Sequence, residues 1–406
     1  MSKCKISGKK LLEIYDFGKQ PLGNGFLSKR HFPKEYFFKM IIGFCNQSKM
    51  FQLKFQPNPK KMFHKNYAFY SSTSEYMKIH FTNFFNTLLK HKALKTSDLF
   101  VVEIGSNDGI MLKNFSKKKI KHLGIEPSSN VAKIAKKNGI NTKISFFDNN
   151  CTRYILNKYG NANVVYAANV MCHIPNIRNV FANIKKLIKK DGIFVFEDPY
   201  LGDVIKKNSY DQIYDEHVYL FSIHSIKHLA SLYKLELFDV QHQVTHGGSM
   251  RYFISHAGSY KPFKSINKYL MNEKKIGLDS FINLKRFSKK IEKSKNDLLN
   301  LLIKLKKQGK SVAGYAATSK STTILNLCEI NSDLIDYISD TTLDKQNKFS
   351  PGMHIPIKSN DYFKKNYPDY AILFAWNHKE EIFKKEKEFI KNGGKWIVFI
   401  PEVKIL

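Results

Sequence analysis

Val101-Val-Glu-Ile-Gly-Ser-Asn-Asp-Gly109 is the most informative stretch of the chain. An apolar run from Leu99 to Ile104 leads into a glycine-bounded loop and then into a second apolar segment. That order reads as strand, tight turn and helix start. Gly105 lets the chain turn sharply and lets a ligand approach the backbone. The loop lacks the G-x-G-x-x-G spacing of a phosphate cradle. It offers instead an acid near the strand end, Glu103, followed by Gly105, Ser106, Asn107 and Gly109. This suits a cationic, phosphate-free ligand that carries an amino acid and an adenosine, namely S-adenosylmethionine. Further on, Leu123-Gly-Ile-Glu126-Pro127 ends the next strand in a second acid. An acid there can accept the hydroxyls of a ribose. Glycine in a strand–helix turn can be purely steric, so it is the spaced pair of acids that favours a cofactor.

Around this stretch, strands and helices alternate. Strands are predicted at His122 to Glu126, Asn163 to Ala168 and Ile193 to Glu197, and helices at Val131 to Asn138 and Val180 to Lys190. Asp191-Gly192 ends the second helix. The pattern predicts an α/β fold with a parallel, doubly wound sheet; together with the cofactor loop it reads as a Rossmann-like class I methyltransferase domain over residues 74–264. Residues 1–73 read as a small α+β module with strand-like runs at Lys10 to Tyr15, Phe37 to Gly43 and Met50 to Phe55. A helix is expected from Ser74 to Leu89, because Met77, Phe81, Phe84, Phe85 and Leu88 recur at helical spacing. Residues 265–308 form a Lys-rich helical connector with one apolar stripe, Phe287, Ile291, Leu298, Leu301 and Leu305. Residues 309–406 predict a second Rossmann-like domain, with strands at Ser311 to Tyr315, Leu334 to Ser339, Tyr370 to Phe374 and Trp396 to Ile400.

Composition narrows the partners. The formal charge of +33 invites a nucleic-acid reading. Only five of the 67 basic residues are Arg, however, and Lys is spread along the whole chain. Base reading leans on the bidentate Arg fork, so nucleic acid is not the expected partner. The charge would equally attract an anionic small molecule. No apolar run reaches the roughly 18 residues of a membrane span. The polar start of the chain lacks a secretory core, so a cytoplasmic monomer is expected. The five cysteines are odd in number and widely spaced, which argues against a disulfide framework.

Several ordered motifs resemble the bacterial sugar C-methyltransferases. They are Glu103 to Gly109, Asn169-Val-Met-Cys-His173-Ile-Pro175, Tyr214-Asp-Glu216-His217, His246-Gly-Gly-Ser-Met-Arg251 and Gly314-Tyr-Ala-Ala-Thr-Ser-Lys320. Asp340 to Ile357, with Lys345-Gln346 and Pro351-Gly352, also fits. The resemblance implies three domains with a nucleotide-linked sugar between them, methylated on the carbon beside a ketone. It adds Pro127 and Asn169 to the cofactor residues, and His173, Tyr67 and Tyr70 to the catalytic candidates. It also implies an N-terminal zinc-binding module with two Cys-x-x-Cys pairs. Here these read Cys4-Lys-Ile-Ser7 and Cys45-Asn-Gln-Ser48. Ser is a poor zinc ligand, so no bound zinc is expected. The family commonly has His where Asp215 stands.

A carbon beside a ketone becomes nucleophilic only after losing a proton, so a base and an enolate holder are needed. His217 is the expected base, being available in its neutral form near pH 7. Glu216 would orient or tune it, with Tyr214 nearby. His246, Gly247, Gly248 and Ser249 would approach a sugar or phosphate, and Arg251 would pair with an anion. The alternative for this segment is a tight hairpin. Ser319 and Lys320, after a strand, suit a diphosphate, and the alternative there is a helix cap. An O- or N-methyltransferase on the same fold is the rival function.

Overall fold

The computed structural model describes residues 2–63, 67 and 69–406. In the N-terminal part, β1 (Leu12–Pro21), β2 (Phe37–Cys45) and β3 (Met50–Leu53) form an antiparallel meander. Ser74 then caps the helix Glu75–Leu89, its side chain accepting from Met77 N. Such a cap contributes about 1 kcal/mol. The five apolar side chains at helical spacing are all buried. They pack on Val101, Tyr166, Val195 and Phe253 of the central sheet, and each buried Phe stabilises the contact by about 1.5–3 kcal/mol.

The central sheet holds β4 (Phe100–Ile104), β5 (Lys121–Glu126), β6 (Thr142–Ile144), β7 (Ala162–Ala168) and β8 (Ile188–Pro199), all parallel. The next strand, β9 (Tyr219–Leu220), leaves this sheet and pairs antiparallel with β3, so the N-terminal sheet has four strands. β10 (Leu235–Gln243) and β11 (Ser249–His256) complete the central sheet in the order β10-β11-β8-β7-β4-β5-β6. The wholly parallel sheet expected from the sequence is therefore amended. β11 runs antiparallel and inserts between β8 and β10. Its hairpin turn contains His246-Gly247-Gly248, where all three residues have positive φ. The helix expected at Val180 to Lys190 runs Ile177–Leu187, and β8 starts immediately after it, through Asp191-Gly192.

Two helices, Lys264–Lys275 and Phe281–Lys307, form the connector. The second buries Leu284, Phe287, Ile291, Leu298, Leu302 and Leu305. Leu302 rather than Leu301 thus continues the stripe. The N-terminal sheet rests on this helix, with Tyr15 Oη donating to Glu292 at 2.6 Å and Lys285 Nζ donating to the Ile14 carbonyl at 2.7 Å.

The last sheet has β12 (Val312–Tyr315), β13 (Ile338–Ser339), β14 (Ile357–Lys358), β15 (Tyr370–Leu373), β16 (Lys395–Val398) and β17 (Lys404–Ile405). Its order is β14-β13-β12-β15-β16-β17, parallel except for β17. Strand order reverses beside β4 in the central sheet and beside β12 in this one. Ligands of open α/β sheets bind at such reversals, outside the carboxyl ends of the strands. Among the described residues, no helix is long and apolar enough to cross a membrane.

Candidate active site

Both reversals open onto one cavity of about 400 Å³. Gly105 and Asn107, after β4, and Asn169, after β7, line it from the central sheet. Ser319 and Lys320, after β12, and Asn377 and His378, after β15, line it from the last sheet. Tyr214, Glu216, His217 and His173 lie on its wall as well.

The loop after β4 is tied to Glu126. Glu126 Oε2 accepts from Asn107 N at 2.9 Å and its Oε1 from Ser128 N at 2.8 Å. Both Glu126 and Pro127 face the cavity. Burial holds the Glu126 carboxyl above its ordinary range, against these two N–H donors. Gly105 has φ +68°, and a Cβ there would lie 2.3 Å from Val170 Cγ2. The loop thus excludes any larger residue at 105. Ser106 and Gly109 belong to the loop but do not face the cavity, and neither does Glu103. Glu103 is buried behind the loop, with Oε2 unpartnered and its carboxyl pushed well up by burial and by Asp108. These residues shape the loop instead of lining the site.

The two candidate tyrosines part company. Tyr67 lies on the cavity and its hydroxyl reaches Glu216 Oε2 at 3.3 Å. Tyr70 points away and accepts from Asn130 Nδ2 at 3.0 Å, so the structure does not bring it to the site. The backbone beside it is used differently. Ser71 N donates to Asn107 Oδ1 and Ser72 N to Asp108 Oδ2, both at 3.0 Å, which clamps this segment over the loop after β4.

The protonation state of His217 follows from its partners. Nδ1 lies 2.7 Å from the Gln212 carbonyl, which can only accept, so Nδ1 carries the proton. Nε2 therefore bears the lone pair and accepts from Tyr214 Oη at 2.7 Å. Burial, and then His173, hold the His217 pKa well below its ordinary value, so the ring is neutral at pH 7. His173 stacks on it with ring centroids 5.2 Å apart, its Nε2 unpartnered and its pKa lowered to about 3 by burial. Cys172, His173 and His217 offer ligand atoms within 4.8 Å of one another. They do not suit a metal, because both His217 nitrogens are committed and burial, with Asp198, holds Cys172 as a thiol.

Glu216 is gripped from two sides. Besides Tyr67, Asn24 Nδ2 donates to its Oε1 at 2.7 Å. Asp215 turns the other way and accepts from Gly23 N at 2.9 Å. Burial, then the Glu216 charge, push the Asp215 carboxyl up to about 8.

On the opposite wall, Lys320 Nζ reaches Asn377 Oδ1 at 3.2 Å, and Lys345 Nζ donates to the Ala317 carbonyl at 2.7 Å. Burial lowers the pKa of both lysines, with Asp211 and Asp340 opposing it. Two half-buried lysines beside an open cavity suit an anion. Thr318 does cap the helix Ser319–Leu327, as the alternative reading had it, yet Ser319 and Lys320 still face the cavity.

The hairpin reading holds for His246 to Ser249. His246 lines the cavity, with Nε2 unpartnered. Gly247, Gly248 and Ser249 do not. Gly247 packs against Trp376, Gly248 against Asp203, and Ser249 Oγ donates to the Thr245 carbonyl at 3.1 Å. Arg251 is buried, with Nε 3.0 Å and Nη2 2.8 Å from Glu197 Oε2. His80 and Thr245 bind the same carboxylate. Burial opposes the Glu197 charge, but His80 and Arg251 outweigh it and hold the pKa at about 2. Arg251 is therefore occupied in the core and unavailable to an anion.

Sequence reasoning missed Asn24, Lys345, Asn377 and His378 as site residues. Asn377 and His378 could have been found by placing the strand that ends near Phe374 beside β12, at the reversal. Lys345 stood in a recognised motif without a role. Asn24 carries no local signal, since it sits in an ordinary Gly-Asn-Gly turn.

Comparison with known proteins places three stretches of the chain in known families. Residues 77–240 match a methyltransferase domain family, and residues 244–401 match the C-methyltransferase C-terminal domain. Residues 4–63 match a family described as a zinc binding domain. The chain is 31% identical to the C-methyltransferase NovU of Streptomyces niveus over 409 residues, covering 100% of this chain and 97% of NovU. Two solved structures resemble it more distantly. An S-adenosylmethionine-dependent methyltransferase from Anabaena variabilis is 17% identical over 45% of this chain and 86% of its own, with a TM-score of 0.36. One from Clostridium acetobutylicum is 10% identical over 46% of this chain and 94% of its own, with a TM-score of 0.35. The full-length match to NovU and the three family matches in order establish that this chain belongs to the S-adenosylmethionine-dependent C-methyltransferases.

Proposed function

We propose that the enzyme methylates the carbon beside a ketone on a nucleotide-linked deoxysugar, with His217 as the base. The observation that carries this reading is that a neutral His217, the Glu126 loop and two half-buried lysines face one cavity. Gly105, Asn107, Glu126, Pro127 and Asn169 hold the cofactor, Glu126 taking the ribose hydroxyls on its remaining lone pairs. When bound, S-adenosylmethionine supplies an electrophilic methyl group. Lys320 and Lys345 face the diphosphate of the substrate.

His217 Nε2 takes the proton from the carbon, and the electron pair left behind would form the new bond to the cofactor's methyl carbon as the methyl–sulfur bond breaks and the thioether leaves. Tyr214 Oη already sits on Nε2. It either relays the proton, passing its own to Nε2 as it receives one, or gives way to the substrate. Glu216, held by Asn24 and Tyr67, orients the sugar beside the base. His173, neutral and unpartnered at Nε2, is available to the enolate oxygen.

The test is a methyl-transfer assay over a panel of nucleotide-linked 4-keto sugars, with NMR of the product. The expected result is a methyl signal on a carbon with no attached oxygen-methyl linkage. A methoxy or N-methyl product would overturn the reading in favour of O- or N-transfer on the same fold.

A further inference from the structure

The four positions at which the family's zinc module carries thiols converge in this chain. Cys4 Sγ lies 3.1 Å from Ser48 Oγ, and Ser7 Oγ lies 3.2 Å from Cys45 Sγ. The pairs are crossed, so each surviving thiol meets the hydroxyl of the other turn. Ile6 N also donates to Cys4 Sγ, at 3.4 Å. The two turns are therefore apposed in the manner of a metal knuckle.

The donor set does not fit zinc. Structural zinc takes four Cys or His ligands. A serine hydroxyl keeps its proton near neutral pH and is a weak donor, which leaves only two effective ligands. The groups are satisfied in another way. Each hydroxyl has a thiol partner, and Cys4, Cys45 and Ser48 are buried. Cys4 and Cys45 pack with Ile6, Leu11 and Met50 in an apolar cluster that continues to Val218 and Tyr219. Cys4 behaves there as a small hydrophobe, while the Cys45 thiol is held below its ordinary range, burial being outweighed by donors from Ser48, Ser7 and Gln47.

We infer that this module is a metal-free descendant of a zinc knuckle, closed by two crossed thiol–hydroxyl hydrogen bonds, and that Ser7→Cys with Ser48→Cys restores a zinc site. The turn that closes at Ser48 leads directly into β3. β3 pairs with β9, and Leu53 N donates to the Val218 carbonyl at 2.8 Å, one residue after His217. The metal-free junction thus braces the segment that carries the proposed base.

The experiment is elemental analysis of the full chain made in zinc-supplemented cells, with melting curves with and without chelator. Wild type should hold no zinc above background, melt unchanged in chelator, and show no thiolate-to-metal absorption with cobalt. Ser7→Cys/Ser48→Cys should hold about one zinc per chain, melt lower in chelator, and show that absorption with cobalt. Cys45→Ser should melt close to wild type, since a hydroxyl keeps the pair. About one zinc per wild-type chain, lost in Cys45→Ser together with a large fall in Tm, would overturn the inference. A folded double variant that takes up neither zinc nor cobalt would overturn its geometric part. Should the double variant not fold, the wild-type zinc content and cobalt spectrum decide alone.

Discussion

Asn24 Nδ2 donates to Glu216 Oε1 at 2.7 Å across 192 residues of chain. The contact joins the N-terminal turn to the segment that carries His217. Gly23, next to it, is wedged between Asp215 and Ser319, so that an added Cβ would meet Asp215 Oδ1 at 2.7 Å and Ser319 Cβ at 2.9 Å. Thr322 Oγ1 donates to the Gly23 carbonyl at 2.9 Å. One turn of the N-terminal part thus meets both other parts at the cavity.

Removing this amide should weaken catalysis without unfolding the protein. A hydrogen bond to a charged group is worth about 1.5–3 kcal/mol, so Asn24→Ala should lower kcat/KM by about 10–100-fold. Asn24→Asp should be worse, because two acids would then share the site. Affinity for S-adenosylmethionine, measured by calorimetry, should stay the same in both. Unchanged kcat/KM in a folded Asn24→Ala protein would remove the N-terminal turn from the reaction.

His217→Ala should lose about 10²–10⁴ in rate and still bind the cofactor. It should also stop exchange of the substrate's acidic proton with deuterated solvent, followed by NMR with the demethylated cofactor bound. Exchange at the wild-type rate would place the base elsewhere, with His173 the next candidate. Tyr214→Phe separates the two routes to Nε2. Loss of exchange identifies the tyrosine as the relay, and retained exchange shows that it gives way to substrate.

Arg251 should prove structural. Breaking a buried ion pair costs about 3–5 kcal/mol, because the partner charge stays buried. His80 and Thr245 still hold Glu197, so Arg251→Ala should sit near the lower end of that range in denaturant unfolding. KM for the sugar nucleotide should barely move. A large rise in KM with unchanged stability would return Arg251 to the substrate site.

From about pH 6.5 to about 8, the buried acids should make stability fall with rising pH. Asp215 and Asp198 are each pushed up to about 8, chiefly by burial, whereas an unfolded Asp titrates near 3.9. Between those values the folded protein holds the extra proton, so stability decreases as pH rises and stays reduced above about 8. His173 and His246, both lowered to about 3 by burial, act with the opposite sign, but only below the unfolded His value of about 6.5. The acids are therefore unopposed by these histidines from about pH 6.5 to about 8. Asp215→Asn keeps an acceptor for Gly23 N and cannot ionise. It should melt above wild type at both pH 6 and pH 8.5 by scanning calorimetry, with the larger margin at pH 8.5. An equal difference at both pH values would mean that Asp215 ionises normally.

Much of this molecule could be read along the chain, because its signals are short-range. The strand before Gly105, the helix capped by Ser74 and the apolar stripe Met77 to Leu88 all rest on spacing within one turn or one loop. Gly105 was required by backbone geometry, and the structure adds Val170 as the atom that forbids a side chain. The Tyr214 to His217 cluster was also legible, since Tyr214 and His217 are three residues apart and meet through a local turn. Partners of buried charges were not legible in this way. Nothing near Arg251 in the chain announces Glu197, and nothing near Glu216 announces Asn24. Of two tyrosines three residues apart, Tyr67 lines the cavity and reaches Glu216, whereas the Tyr70 hydroxyl is taken by Asn130. The antiparallel entry of β11 between β8 and β10 was hidden for the same reason. Pairing across a sheet is settled by which edge is free when the chain returns, and ionisation by how much water the finished packing excludes. Both are long-range sums over the folded chain, which periodicity and motif spacing do not contain.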